Sequence, residues 1–347
     1  MTFIAGICDS ESCILTADNA VTAPRGSTIR TRITTATGVT LSSNVDDRAF
    51  KLMHPLPNCI MSFAGADRVG SALAKDLQKM PALASKEDLQ HFLDSHAQYH
   101  RSGVTVVFGL IDRVVQMPRL LKWESNNPNT LEEDAYLFCG SGSDYLGELG
   151  RSFSLNLTHL PVGTPQKAGA FSGYFNQKLF HTIGKELALR GVGGCFFSLA
   201  LDRSGLLAQQ DTAIIKVEVV ESEGLLIAQV IKLAYRRGIL FINSPIRGDR
   251  RALLNSYNCT KEAVEAQQAL ARHGAKALQE LGVDFDEVWD LSDVRSIEIH
   301  FDYDNIPSHF VPACDQGEFL TLDATRTKSV ISEKLQSVIE DCIKKAR

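Results

Sequence analysis

The chain has 347 residues, 44 % of them hydrophobic, and a formal net charge of −5. That length suits one large domain or a domain with a substantial extension, and the modest charge gives no general pull toward nucleic acid or an anionic membrane surface. No basic stretch leads into an apolar core at the start, and no apolar run approaches the roughly 20 residues that span a bilayer, so the expectation is a cytoplasmic protein without secretory signal or membrane anchor.

The opening residues read as a hairpin. Phe3, Ala5 and Ile7 alternate with Ile4, Gly6 and Cys8, Asp9-Ser10-Glu11-Ser12 turns the chain, and residues 13–17 return. Residues 23–47, rich in Thr, Ser and Arg, read as a long hairpin or an inserted loop. A short apolar run at 58–64, bounded by Pro57 and Gly65, has the pattern of a buried strand. Two helices follow, one with Val69, Leu73, Leu77 and Met80 at helical spacing, the other with Leu89, Phe92, Leu93 and His96 on one face. Strands are expected at 104–111 and 136–139. The turn Gly140-Ser141-Gly142-Ser143 then opens a helix to about residue 157, a second helix runs from 174 to 189, and strands return at 195–201 and 214–220. Strands grouped apart from helices argue for helical layers on mainly antiparallel sheets, not an alternating parallel fold.

Beyond Glu221 the pattern changes. Residues 225–233, 239–242 and 296–301 read as strands, 260–281 as an alanine-rich helix, and Ile331, Leu335, Val338 and Cys342 share one face of a closing helix. The organisation expected is a domain over 1–221 and a C-terminal α/β extension over 222–347. The eight cysteines include no Cys-x-x-Cys pair and lie mostly in apolar segments, so they read as reduced, small core residues. Arg236, Arg237, Arg247, Arg250 and Arg251 have few interleaved aromatics and read as a solvated rim.

Thr2 is the first candidate for chemistry. Once Met1 is removed, it carries a hydroxyl and a free α-amine on adjacent carbons, and an amine with a pKa of roughly 7.7–8.0 can take the hydroxyl proton directly or through a water. One residue then supplies nucleophile and base. Lys51, as an ammonium, would stabilise a developing alkoxide, and Asp18 would orient and hold that charge. Gly65 would let its N–H approach a tetrahedral oxyanion with no side chain in the way. Ser141 could hydrogen-bond the α-amine.

These residues lie in segments that resemble the proteasome β-type and bacterial HslV-like peptidases, of the N-terminal-nucleophile hydrolase superfamily, over residues 1 to about 221. "TFIAGICDSESCILTADNAVT" is similar to that family's opening hairpin, with Thr2 on the nucleophile and Asp18 on its conserved partner. "FKLMHPLPNCIMSFAGADR" is similar to the next block, with Lys51 on the catalytic lysine and Gly65 on the oxyanion glycine, and "YLFCGSGSDYLGEL" resembles the Gly-Ser-Gly turn that holds Ser141. The resemblance implies an α+β fold, a four-layer αββα sandwich. It implies a threonine-type peptide or amide hydrolase acting through an acyl-enzyme, with no cofactor and no metal. Its implied partners are a peptide or protein substrate, a homo-oligomeric ring, and an ATPase or other assembly partner.

Leu189-Arg190-Gly191-Val192, ahead of Gly193-Gly194, holds neither the Asp nor the Ser that the family carries there. That observation carries an alternative, a non-catalytic assembly subunit. A third reading is an amidase or transpeptidase in which an amine resolves the acyl-enzyme. His96 and His100, four apart on an expected helix, lack an acidic or cysteine partner at ligand spacing, and His300-x-Asp302-x-Asp304 runs into a loop signalled by Asn305 and Pro307. Neither reads as a metal site.

Overall fold

The computed structural model describes residues 2–19, 21–22, 32–34, 40–42, 45–46, 50–159, 161–180, 192–220, 224–244, 249–254, 282–283, 290–301, 306–311, 314–315, 317–322 and 329–346, with scattered positions between 265 and 288. They divide into two compact units, the first holding described residues up to 179 and 192–209, the second residue 180 and those from 210 onward. The strand at Thr212–Val220, which the sequence reading puts in the first domain, therefore lies in the second unit.

In the first unit β1 (Phe3–Cys8) and β2 (Ser12–Asp18) form the expected antiparallel hairpin. Nearly every residue of both is buried, which is why the sequence is apolar almost continuously instead of alternating with polar residues. Two short ribbons follow, β3 (Val21–Thr22) with β6 (Val45–Asp46) and β4 (Arg32–Thr34) with β5 (Thr40–Ser42); the rest of the expected 23–47 insertion lies outside the described residues. Next come β7 (Met53–Leu56), β8 (Cys59–Gly65), α1 (Asp67–Leu77) and α2 (Lys86–Ser95). The chain continues through β9 (Val104–Asp112), β10 (Met117–Glu124), β11 (Asn127–Glu133) and β12 (Tyr136–Gly140), then α3 (Ser143–Thr158), α4 (Thr164–Phe180), β13 (Phe196–Asp202) and β14 (Gly205–Ala208).

Two five-stranded antiparallel sheets result, in the orders β12-β1-β2-β13-β14 and β11-β10-β9-β8-β7. Leu73, Leu77, Leu89 and Phe92 of α1 and α2 pack with Phe108 and Trp123 of the second sheet. Phe175 of α4 packs on the first, against Phe138 and Phe196, with Phe171 beside it. The Phe3 ring lies 5.1 Å from Phe175 and 5.9 Å from Phe196, centroid to centroid, so the first core side chain after Thr2 is fixed in an aromatic cluster. Phe175→Ala should cost about 3–5 kcal/mol by removing the ring at the centre of that cluster, read as a lower midpoint in urea unfolding.

The second unit is led by a mixed six-stranded sheet of β15 (Thr212–Val220), β16 (Gly224–Arg236), β17 (Ile239–Ser244), β18 (Asp249–Leu254), β19 (Ser296–Phe301) and β20 (His309–Val311), in the order β18-β17-β16-β15-β19-β20, with β15 and β19 parallel. A short pair, β21 (Leu320–Leu322) and β22 (Ser329–Ile331), precedes α5 (Glu333–Ala346). Leu335, Ile339 and Ile343 of α5 cover Ile215, Ile297 and Ile299. Asp211 holds the Arg236 guanidinium through two hydrogen bonds of 2.7 and 2.8 Å, and the arginine side chain stays 39 % exposed.

The four-layer αββα sandwich with an α/β extension is corrected by this architecture. Among the described residues the molecule is β-rich, with sheets of five, five and six strands. Strands were under-read. β10, β11 and β18 carry charges or prolines that mask their pattern, such as Pro118, Arg119 and Lys122 in β10. The helix expected from 174 begins at Thr164, where Pro165 enters the first turn, a favoured place because its missing N–H would have no helical partner there. Ile331 ends a strand and does not join the closing helix. Most of the expected 260–281 helix lies outside the described residues. Among the described residues no helix is long and apolar enough to cross a membrane.

Candidate active site

Backbone pairing places Thr2 before any side chain acts. Phe3 stands opposite Gly140 in the β1–β12 ladder, and the Ser141 N–H donates to the Thr2 carbonyl at 2.9 Å. The residue is 8 % exposed. Gly140 has φ +94°, and a Cβ there would lie 1.7 Å from the Thr2 carbonyl oxygen, so only glycine lets β12 run this close to the start of β1.

Asp18, at the end of β2, joins three segments of the chain. Its Oδ1 accepts from the Phe3 N–H at 3.0 Å and from the Lys51 Nζ at 2.9 Å, and its Oδ2 accepts from the Gly193 N–H at 3.2 Å. The carboxylate side chain is 0 % exposed and the Lys51 side chain 8 %. Lys51 is held from its other end as well, because its carbonyl accepts from the Ser62 hydroxyl at 3.1 Å. Sharing Oδ1 puts the ammonium two hydrogen bonds from the peptide that links Thr2 to Phe3. A buried pair of this kind repays the cost of desolvation only when its remaining lone pairs and protons are met, and here two backbone N–H groups help to meet them.

Gly65 ends β8 opposite Val104, with φ +106° and an exposed surface. A Cβ would sit 2.1 Å from the Gly103 carbonyl oxygen. Among the described hydrogen bonds none ties Gly65 to the Asp18 cluster. The structure therefore brings Thr2, Asp18, Lys51 and Ser141 together and leaves Gly65 at a strand end that requires glycine for its own reasons. Ser141 contributes its backbone N–H to the Thr2 carbonyl, a contact different from the expected hydroxyl bond to the α-amine.

Three supporting residues were missed in the sequence. Gly193 donates to Asp18 in the stretch where a supporting Asp or Ser was sought; residues 189–191 lie outside the described residues. Asn19 accepts from the Cys195 N–H at 2.8 Å, and Asn176 accepts from the Phe196 N–H at 2.7 Å while donating to the Phe196 carbonyl at 3.3 Å. These bonds fix the approach to β13, the neighbour of β2. An Asn-Ala pair after Asp18 was the available signal for the first; a mid-helix Asn in an aromatic stretch was the signal for the second.

The histidine pairs resolve as local structure. α2 stops at Ser95, so His96 and His100 do not share a helix; Nδ1 of His96 lies 2.7 Å from the Phe92 carbonyl oxygen and Nε2 of His100 lies 3.2 Å from that of Leu93. His300 is buried in β19 against Glu298 at 3.3 Å and Ser308 at 2.9 Å, while Asp302 and Asp304 lie outside the described residues. Among the described residues no group of three or more His, Cys, Asp and Glu is arranged to hold a metal ion.

A buried ammonium–carboxylate pair wired to the backbone beside a threonine can set a hydroxyl in a field that favours its alkoxide, given a base to take the proton. No family model matches the chain, and no curated protein matches it.

Proposed function

We propose that the chain is a threonine-type peptide or amide hydrolase in which Thr2, freed at its α-amine, is the nucleophile. The observation that carries this reading is the Asp18 carboxylate, which binds the Lys51 ammonium and the Phe3 N–H through the same oxygen. The resemblance of the opening hairpin and the Lys51 segment to proteasome β-type and HslV-like peptidases supports it independently.

In this mechanism Thr2 Oγ1 attacks the carbonyl carbon of an amide, and its proton passes to the α-amine of the same residue, directly or through a water. Lys51 stabilises the developing alkoxide and Asp18 keeps the ammonium in place. Collapse of the tetrahedral intermediate expels the leaving amine with the proton that Thr2 gave up, and water then cleaves the ester. A peptide or protein substrate, assembly into a homo-oligomeric ring and docking of an ATPase or similar partner belong to the same reading.

The test is the intact mass of the purified full chain before and after exposure to a β-lactone that acylates N-terminal threonine. A chain beginning at Thr2 that gains one adduct mapping to Thr2 is the expected result. A second preparation, with Thr2 freed by cleavage of an N-terminal tag, removes retained methionine as an explanation. No adduct on that freed threonine overturns the reading and favours a non-catalytic assembly subunit.

A further inference from the structure

We infer that Cys8 and Cys13 form a reversible disulfide across the opening hairpin, a modification site independent of the chemistry proposed for Thr2. The two residues are directly opposed in the β1–β2 register, and their sulfurs lie 2.9 Å apart as thiols. The Cys8 N–H points away from β2, donating to the Ala135 carbonyl at 2.9 Å, while the next rung is closed by the Asp9 N–H on the Ser12 carbonyl at 3.0 Å. Cys8 and Cys13 are therefore a non-hydrogen-bonded antiparallel pair. Such pairs have Cα atoms about 4.5 Å apart, at the short end of the roughly 4.4–6.8 Å range that a disulfide tolerates. A bond within that range forms without moving the strands, and the part-exposed Cys8 leaves it open to attack by a reducing thiol.

The hairpin is held in register before any bond forms. Asp9 Oδ1 accepts from the Glu11 and Ser12 N–H groups at 2.9 and 2.8 Å, and Asp9 Oδ2 accepts from Lys167 Nζ at 2.9 Å. Burial alone would push the Asp9 carboxyl up, but the Lys167 bond and the two N–H groups outweigh it and hold the group below the usual carboxylate range. The thiols differ in access. Cys8 is part-exposed, whereas Cys13 is buried and donates to the Arg119 carbonyl at 3.0 Å. Cys8 is thus the entry thiol and Cys13 the resolving one. With a low-molecular-weight disulfide such as glutathione disulfide, the Cys8 thiolate attacks one sulfur and expels one glutathione thiolate. Cys13 then attacks the Cys8 sulfur of the mixed disulfide, expelling the second. Two protein thiols lose two electrons and two protons, and one glutathione disulfide becomes two glutathione thiols.

The pair is convenient to read, because cleavage after Arg25 yields a peptide whose only cysteines are Cys8 and Cys13. The full chain is incubated with glutathione disulfide, quenched with iodoacetamide, digested with trypsin and weighed. The expected peptide lacks two hydrogens, carries no alkyl group, and regains two alkylatable thiols after dithiothreitol. In Cys13→Ser, Cys8 should stop as the glutathione mixed disulfide. Wild-type peptide alkylated at both cysteines, or halted at the mixed disulfide, overturns the inference. Either result leaves labelling of Thr2 unaffected, so the two readings fail separately.

Discussion

Lys51→Met should slow β-lactone labelling of a freed Thr2 at least about 10²-fold, the scale on which a single preorganised electrostatic group acts in acyl transfer. The prediction follows from where the positive charge sits. Lys51 is 2.9 Å from Asp18, both side chains are withdrawn from water, and the same carboxylate oxygen fixes the peptide after Thr2. Methionine keeps most of the packed stem and removes the charge. It also takes the ammonium partner from a buried carboxylate, a change that costs about 3–5 kcal/mol when one partner of a buried pair is lost. The variant is therefore assayed well below its own unfolding midpoint. Lys167→Met serves as the control, since it breaks another mostly buried lysine–aspartate pair, with Asp9 at 2.9 Å, without entering the proposed chemistry. Lost stability with an unchanged labelling rate is expected there. If Lys51→Met labels as fast as Lys167→Met, Lys51 is structural and takes no part in the reaction. The double variant Asp18→Asn with Lys51→Met should lose less stability than the two single changes added together, because the second change no longer strands a charge.

What could be read in the sequence was what residue type announces. Asp18 and Lys51 stand 33 residues apart across an insertion, yet an aspartate closing an apolar strand and a lysine ahead of an apolar run are conspicuous, and the structure joins them directly. Backbone groups carry no such mark. The Gly193 N–H on Asp18 and the Ser141 N–H on the Thr2 carbonyl depend on where strands begin and end, and that is set by tertiary pairing. The same limit explains the fold. Apolar strands such as β1, β2, β9 and β19 were visible because both faces, or all their residues, are buried. In contrast β11, with sequence NPNTLEE, buries only Leu131 and looks like a loop until it pairs with β10. Missing such strands understates how β-rich the chain is. Cys8 and Cys13 show a further limit, since a four-residue turn brings into register two cysteines whose spacing matches no motif.

Gly140→Ala should destabilise the first unit by more than about 4 kcal/mol, an effect reserved for substitutions that leave the backbone no acceptable position. Two costs coincide at this residue. A φ of +94° is one that L side chains rarely adopt, and the added methyl would lie 1.7 Å from the carbonyl oxygen of Thr2 and 2.8 Å from its carbonyl carbon. Neither obstacle is a flexible side chain that can swing aside. Relief requires β12 to separate from β1, which breaks the Ser141 bond to Thr2 and withdraws Phe3 from Phe175 and Phe196. Gly147→Ala, one turn into α3, meets nothing closer than Phe138 Cβ at 3.8 Å and should stabilise by about 0.5–1 kcal/mol, as alanine does in a helix interior. Urea unfolding of both variants therefore separates strain at one backbone contact from the general effect of adding a methyl group. A Gly140→Ala chain as stable as wild type would mean that β12 does not hold the start of β1, and the position of Thr2 would then need another support. Should it unfold early yet still label at Thr2 under conditions where it is folded, the strand contact serves stability alone, and the Asp18–Lys51 pair suffices to place the nucleophile.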